Sequence, residues 1–244
     1  MAKQRLDTIV QERTDHPLSK AQGMIQTNKV RGTDGSPLTQ PGLQVPSDIE
    51  LIIDEGPKYV SRGGLKLEAG LEQYPINLKD RVCMDVGSST GGFTDCMLQY
   101  GAGMVYAVDV GYGQLDWKLR QDKRVVVMER TNIRNVDPNH LTQPPTFFAV
   151  DCSFISLKRI LPTINALIPT ESEGLVLIKP QFEAVKSDVE VGGVVRDEQV
   201  HESVIQGVLH SAEVLGFKAA DVIPSPLTGP AGNKEFVAHL KRGA

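Results

Sequence analysis

A glycine-rich segment from Asp85 to Phe93 carries the clearest chemical signal in this chain of 244 residues. It follows an apolar run that ends at Met84 and precedes residues with helical apolar spacing, so the sequence predicts a strand, a glycine turn and a helix. Such a turn exposes backbone N–H groups that can bind a nucleotide-like ligand. The next predicted strand ends in a second acid, Asp109, at a spacing that suits hydrogen bonds to the hydroxyl pair of a ribose.

The residues of this loop exclude two common classes of nucleotide ligand. A loop that cradles a triphosphate carries Gly-Lys-Ser/Thr, whereas Gly91 is followed by Gly92 and Phe93. The dinucleotide fingerprint is Gly-x-Gly-x-x-Gly, a spacing that Gly87, Gly91 and Gly92 do not have. The remaining pattern of acid, glycine, small residues and glycine resembles motif I of S-adenosylmethionine (SAM) methyltransferases, and SAM has no phosphate. The alternative is a tight turn whose glycines serve only to allow positive φ.

Four charged residues are predicted to meet at one edge of the sheet, near this loop. Asp151 and Lys179 each follow an apolar strand, and Glu235 opens the last strand. Lys66 lies on the helix just before the sheet. Methyl transfer from a sulfonium to a hydroxyl requires in-line alignment and loss of the hydroxyl proton. A lysine kept partly neutral by burial could serve as the base, with Asp151 orienting it and Glu235 holding the second lysine or the ribose.

The order of the predicted elements indicates an α/β fold with a Rossmann-like core. Alternating strands and helices predict a mostly parallel seven-stranded sheet with helices on both faces. Residues 1–54 predict a separate small α+β domain with two short helices within 4–27, the second capped by Ser19, and residues 55–60 predict a linker to the domain at 61–244. The core strands are expected at 82–86, 104–109, 125–128, 146–150, 174–179, 218–223 and 234–240, and the helices at 61–73, 92–100, 114–121, 157–167 and 197–214.

Composition and charge are those of an ordinary globular protein. Hydrophobic residues make up 40% of the chain, and no apolar run approaches the ~20 residues that span a bilayer. Three cysteines without paired spacing indicate reduced thiols, with no disulfide or metal site, and together with the lack of a signal segment they predict a cytoplasmic protein. The net charge of −4 argues mildly against a nucleic-acid binder, although residues 117–134 are strongly basic. We expect a monomer or weak oligomer with no membrane partner.

A resemblance to a known family rests on five segments of the chain: 61–67, 85–95, 108–115, 151–157 and 178–183. Together they resemble the TlyA (haemolysin A) family of ribosomal RNA 2′-O-methyltransferases, and the likeness extends over roughly residues 4–241. The resemblance implies an FtsJ-like core that uses SAM, with a catalytic tetrad at Lys66, Asp151, Lys179 and Glu235. The expected cofactor-binding residues are Asp85, Gly87, Ser88, Ser89, Thr90, Gly91, Gly92, Phe93, Asp109, Val110, Asn132 and Asp151.

Residues 4–53 resemble the RNA-binding module that this family shares with a small-subunit ribosomal protein. This copy departs from the family pattern, because residues 1–60 carry seven basic and eight acidic residues, so recognition of RNA shape is a better expectation than strong salt-sensitive binding. The implied partner is ribosomal RNA in a ribosomal subunit. The extent of the chain resembles the shorter family form, which modifies a cytidine of the large-subunit RNA. The expected RNA-binding residues are Lys20, Lys29, Arg62, Lys118, Arg120 and Arg124.

Other functions are compatible with some of these residues. A SAM-dependent base methyltransferase would use an acid or Asn, two prolines and an aromatic residue, of which Asp151 and Phe154 supply the ends. Cys152 could act as a covalent nucleophile only with a stabilised thiolate, and packing is its expected role. A non-enzymatic ribosome-assembly factor with a vestigial SAM site is a third possibility, and the intact loop and tetrad argue against it. Direct haemolysis has no support, because the sequence contains no strongly amphipathic basic helix.

Overall fold

The computed structural model describes residues 2–243. The chain divides into two compact units, Met1–Lys58 and Tyr59–Ala244, a boundary that falls inside the segment where the sequence predicts a linker. Within the described residues, no helix is both long and apolar enough to cross a bilayer.

The smaller unit joins two helices to two short antiparallel strand pairs. Its elements are β1 (Lys3–Arg5), α1 (Leu6–Thr14), α2 (Leu18–Gln26), β2 (Val30–Gly32), β3 (Gln44–Pro46) and β4 (Leu51–Ile53). β1 pairs with β3, and β2 pairs with β4. One face of each helix is buried in a common core formed by Leu6, Ile9, Val10, Ala21, Met24, Ile25, Val30 and Val45.

Both helices lie within 4–27, as the sequence predicts, and residues 3–5 before them are extended and pair with β3. One local prediction for this unit is wrong. Ser19 does not cap α2, because the helix already begins at Leu18 and Pro17 occupies the capping position without a side-chain bond. The proline ring restrains the φ of Pro17, which is −55°, and its ψ of 146° is not helical. The helix therefore begins at the next residue, Leu18.

The larger unit is built on a seven-stranded sheet. Its elements are α3 (Gly63–Gln73), β5 (Val82–Val86), α4 (Gly92–Gln99), β6 (Met104–Val108), α5 (Trp117–Arg120), β7 (Val125–Met128), β8 (Phe147–Val150), α6 (Leu161–Leu167), β9 (Glu173–Ile178), α7 (Pro180–Glu183), α8 (Glu198–Val214), β10 (Phe217–Pro224) and β11 (Phe236–Arg242). The strand order is β10-β11-β9-β8-β5-β6-β7. The five strands from β9 to β7 in this order are parallel, and β11 is antiparallel to both of its neighbours. The predicted α/β fold with a mostly parallel seven-stranded sheet is confirmed.

Both faces of this sheet are buried, because successive strand residues point to opposite sides. Met84 of β5 packs in one apolar cluster with Leu161 of α6 and Val208 of α8. The preceding residue, Cys83, lies in the other cluster together with Leu67 of α3. Burial on both faces explains why the central strands read as continuous apolar runs without polar alternation.

One predicted helix is interrupted. The sequence predicts a single helix over 157–167, whereas the structure has a 3-10 turn at Leu157–Arg159 followed by α6. Pro162 lies in the first turn of α6, where its missing N–H costs nothing. A continuous helix would require this proline in its interior, so the break follows from the residue's chemistry.

Candidate active site

The glycine loop lies where the sheet reverses its strand order. β5 pairs with β6 on one side and with β8 on the other. The chain therefore adds β6 and β7 on one side of β5 and then crosses over to add β8 on the other side. Ligands of open α/β sheets bind in the crevice at this position. Gly87 follows β5 at φ 88°, and a Cβ there would lie 2.6 Å from the carbonyl oxygen of Asp151, which follows β8. Glycine therefore allows the two strand ends to approach each other.

The other two loop glycines are required by close packing. Gly91 has φ 99°, and a Cβ on it would lie 2.2 Å from the Leu119 side chain. Gly92 begins α4 without a positive φ, and its Cβ would lie 2.3 Å from the Ser61 hydroxyl oxygen. Gly87 and Gly91 thus combine a positive φ with close packing, whereas Gly92 is required by close packing alone. This third glycine permits the segment before α3 to reach the start of α4, which brings Ser61 and Arg62 to the loop.

A cavity of about 460 Å³ adjoins the loop on the side of β6. Asp109 lines it, and its two carboxylate oxygens accept hydrogen bonds from the backbone N–H groups of Ser89 at 2.8 Å and Gly111 at 2.6 Å. Each carboxylate oxygen has a further lone pair, so both can also accept bonds from ligand hydroxyls. Of the residues expected to bind the cofactor, this cavity is lined by Gly87, Ser89, Asp109, Val110, Asn132 and Asp151.

Asp85 lies behind the loop and is fully buried, so it lines neither this cavity nor the neighbouring cleft. One of its oxygens accepts the hydroxyl hydrogen of Thr94 at 2.6 Å. The other has no hydrogen-bond partner among residues 2–243. Burial raises the pKa of Asp85 to about 7, and the nearby charges of Asp151 and Asp109 add to the effect. A cation at the loop would relieve this accumulation of negative charge.

A second cavity, of about 500 Å³, contains all four residues of the predicted tetrad. Lys179 Nζ lies 2.5 Å from Asp151 Oδ1 and donates a hydrogen bond of 3.2 Å to the Ser153 hydroxyl. Lys66 Nζ lies 2.6 Å from Glu235 Oε2. The four residues therefore form two lysine–carboxylate pairs in one cleft, each made of residues far apart in the sequence.

The two cavities meet at Gly87, Ser89, Asp151 and Ser153, which line both of them. The remaining loop residues expected to bind cofactor face the tetrad cleft, namely Ser88, Thr90, Gly92 and Phe93. Gly91 packs against Leu119 instead. A ligand at the loop can thus extend from Asp109 in one cavity to the lysine–carboxylate pairs in the other.

The side chains expected to bind RNA differ in their solvent exposure and in whether they already form an ion pair. Arg62 is exposed and lines the tetrad cleft, and Lys118 is exposed. Arg120 forms an ion pair with Glu129, and Arg124 pairs with Asp122 at 2.7 Å. In the smaller unit, Lys20 is exposed and Lys29 is half-buried. The basic run at 117–134 therefore neutralises part of its own charge.

Phe154 and Ser153 are site residues that the sequence reasoning missed as such. The Phe154 ring is 91% exposed, and its backbone adopts φ 64°, which is unfavourable for a bulky residue. It lines the first cavity, and its ring centroid lies 5.1 Å from that of Phe182. Their positions in the sequence could have indicated this role, since they lie two and three residues after Asp151 in the same motif.

Cys152 shows none of the features of a nucleophile. Its Sγ donates a weak hydrogen bond to the carbonyl oxygen of Val86 at 3.5 Å. Burial, with the charge of Asp151, raises the pKa of this thiol to about 12, so the reactive thiolate is disfavoured. This argues against covalent methylation of a base carbon through Cys152.

The loop and its acids fit SAM as a ligand. SAM carries a sulfonium and an ammonium group, and three carboxylates lie around the loop, of which Asp85 retains an unpartnered buried oxygen. Asp109 is placed to hold ribose hydroxyls, and its bonds to the loop N–H groups fix its orientation. The fold, the acidic loop and the adjoining cleft define a SAM-dependent methyltransferase.

The chain belongs to the FtsJ-like methyltransferase family, whose sequence model matches residues 59–242. A Bacillus subtilis protein described as a candidate rRNA methyltransferase, YqxC, is 46% identical over 241 residues, which are 98% of this chain and 85% of that protein. The 16S/23S rRNA (cytidine-2′-O)-methyltransferase TlyA of Mycobacterium tuberculosis is 42% identical over 91% of this chain and 83% of its own length. A solved structure described as a candidate hemolysin from Streptococcus thermophilus is 40% identical, with a TM-score of 0.76 over 100% of this chain and 90% of that chain.

Proposed function

We propose that this protein is a cytoplasmic enzyme that transfers the methyl group of SAM to the 2′-hydroxyl of a cytidine in ribosomal RNA. The observation that carries the proposal is the pair of lysine–carboxylate contacts in one cleft, which opens directly onto the cavity at the glycine loop. The name of the Mycobacterium tuberculosis relative supports the cytidine 2′-hydroxyl as the acceptor. The Bacillus subtilis relative also supports ribosomal RNA as the substrate.

Lys179 is the residue we assign to the hydroxyl group. Asp151 lines both cavities and holds Lys179 at their junction, so an acceptor oxygen bound there lies beside the amine. SAM bound at the loop would supply an electrophilic methyl group for the ribose oxygen, with the electron pair of the broken C–S bond left on its sulfur. Lys179 either takes the hydroxyl proton or stabilises the negative charge that develops on the oxygen as the proton leaves to solvent.

Lys66 and Glu235 form the second pair, to which we assign the placement of the ribose. The Glu235 side chain is 1% exposed, so its charge depends on Lys66 for compensation. An ammonium group carries three donors, and the bond to Glu235 uses one of them. The others can donate to ribose or phosphate oxygens, and Arg62 at the same cleft can do so as well.

Phe154 suits the base of the target nucleotide. RNA sequences are read where bases are unstacked, and such bases stack on exposed aromatic rings at about 1–3 kcal/mol each. Phe154 presents such a ring three residues after Asp151. We assign the smaller unit to binding of folded RNA, with the exposed Lys20 and the half-buried Lys29 among its contacts.

The test is methylation of ribosomal RNA and isolated ribosomal subunits with radiolabelled SAM, with modified sites mapped by resistance of the adjacent phosphodiester to alkali. We expect ribose methylation at a cytidine by the wild type. Lys179→Ala should lower the rate by about 10²–10⁴-fold, the usual contribution of general acid–base catalysis, while SAM binding measured by calorimetry is retained. Lys218→Ala, at an exposed lysine of β10, is the matched control.

Two outcomes would contradict the proposal. Full activity of Lys179→Ala would refute the assigned role of the tetrad. A methyl group found on a base, with the ribose unmodified, would refute the 2′-hydroxyl as acceptor and favour a base methyltransferase.

A further inference from the structure

Glu183 makes a partly buried connection between the two segments that carry Asp151 and Lys179. It is the last residue of α7, and its two carboxylate oxygens accept hydrogen bonds from the hydroxyl of Ser156 and the backbone N–H of Leu157, each at 2.6 Å. Ser156 and Leu157 belong to the loop that follows β8. One side chain therefore ties the segment after β9 to the segment after β8.

The environment of Glu183 disfavours its ionised form. Burial raises the pKa of this carboxyl group, and the hydrogen bonds from Ser156 and Leu157 offset part of that effect. Hydrogen bonds to an ionised acceptor are about twice as strong as neutral ones, and they fix direction as well as distance.

Each end of the connection leads directly to the site. On one side, the backbone N–H of Phe182 bonds the carbonyl oxygen of Lys179, so α7 is anchored on the lysine. On the other side, Ser156 follows the exposed Phe154 by two residues, and the rings of Phe154 and Phe182 are in contact at 5.1 Å. A shift of Glu183 would move Phe154 and Asp151 relative to Lys179.

We propose that Glu183 is a positioning residue, whose carboxylate sets the placement of the acceptor-side loop 151–157 relative to Lys179. The inference rests on the proposed function, since the loop is assigned to the RNA acceptor. Glu183, Ser156 and Leu157 do not themselves line either of the two cavities, although Asp151 and Phe154 of the same loop line the first. Loss of the connection should therefore lower turnover of the acceptor more than it lowers the affinity for SAM.

Three variants of the full chain separate the contributions. Glu183→Gln keeps the size but offers one acceptor oxygen in place of two, so we expect kcat to fall about tenfold. Glu183→Ala removes both bonds, and a displacement of about 1 Å would lower kcat by about 10²-fold. Ser156→Ala removes one of the two bonds and should resemble Glu183→Gln. When Ser156→Ala is combined with a substitution of Glu183, the two effects should not add, because the two residues share a hydrogen bond. Glu213→Gln, at an exposed glutamate of α8, is the control.

The readouts are kcat and KM for RNA, the Kd of SAM, and amide hydrogen exchange at Leu157, whose N–H donates to Glu183. We expect lower kcat, higher KM for RNA, faster exchange at Leu157 and a Kd of SAM that changes much less than kcat does. Weakened SAM binding in parallel with activity, or unchanged kcat and KM, would overturn the inference. If the wild type does not methylate RNA, the proposed function fails, whereas unchanged exchange at Leu157 refutes the connection itself.

Discussion

Replacing Asp85 with asparagine should change how the free energy of unfolding depends on pH. Burial raises the pKa of Asp85 from 3.8 to about 7 in the folded protein. The folded state thus holds this proton more tightly than the unfolded chain, so the associated stability is complete below about pH 4 and is lost as the pH rises through about 7. At about 1.4 kcal/mol per pKa unit, the shift corresponds to about 4 kcal/mol.

Urea unfolding followed by circular dichroism, at several values between about pH 5 and about pH 8, measures this effect. Over that interval the wild type should lose about 2.5 kcal/mol more than Asp85→Asn, because most of the titration of Asp85 falls within it. Asparagine has nearly the same shape and still accepts the hydroxyl of Thr94, and all other titrating groups are common to both proteins. Parallel stability curves for the two proteins would refute the raised pKa of Asp85.

Three further perturbations probe the loop and the sheet. Asp109→Asn should weaken SAM binding about 10- to 100-fold by calorimetry, since an amide cannot accept from both loop N–H groups, and unchanged affinity would exclude the cavity as the SAM site. Gly91→Ala should lower the free energy of unfolding by about 1–3 kcal/mol in urea titrations, because its Cβ would overlap Leu119 at a positive φ. His239 holds the pKa of Glu173 at about 2, so stability from this group is present above about pH 4.5 and lost as the pH falls through about 2. Glu173→Gln should therefore destabilise the protein by about 2–4 kcal/mol near neutral pH, with a difference from wild type that vanishes in acid, and a difference that persists there would contradict this origin.

The pairing within the tetrad shows where sequence reasoning succeeds and where it ends. Apolar runs located the strands well enough to place Asp151 and Lys179 at strand ends, because strand identity depends on local composition. The partner of each lysine depends on strand order, which is a property of the whole sheet. β8 and β9 are neighbours, so Asp151 meets Lys179. Glu235 reaches the same edge only because β11 runs antiparallel, so the residue before it lies at the carboxyl ends of the other strands.

Other features depend on contacts between distant segments and could not be predicted locally. β1 is a strand because Arg5 pairs with Gln44, and nothing in residues 3–5 alone distinguishes it from a helix start. The pairing of Arg120 with Glu129 likewise depends on the fold around α5 and β7. The left-handed backbone of Phe154 is an exception to residue preferences, and such exceptions persist only where the surrounding structure enforces them.

The position of β11 has a consequence for the order of events during synthesis. This strand is the latest in sequence, yet it lies between β9 and β10 inside the sheet, and Glu235 just before it is 169 residues from its partner Lys66. A nascent chain emerges amino end first, and such distant contacts form late in folding. The contact between Lys66 and Glu235 would therefore be absent from every partial chain that stops short of β11.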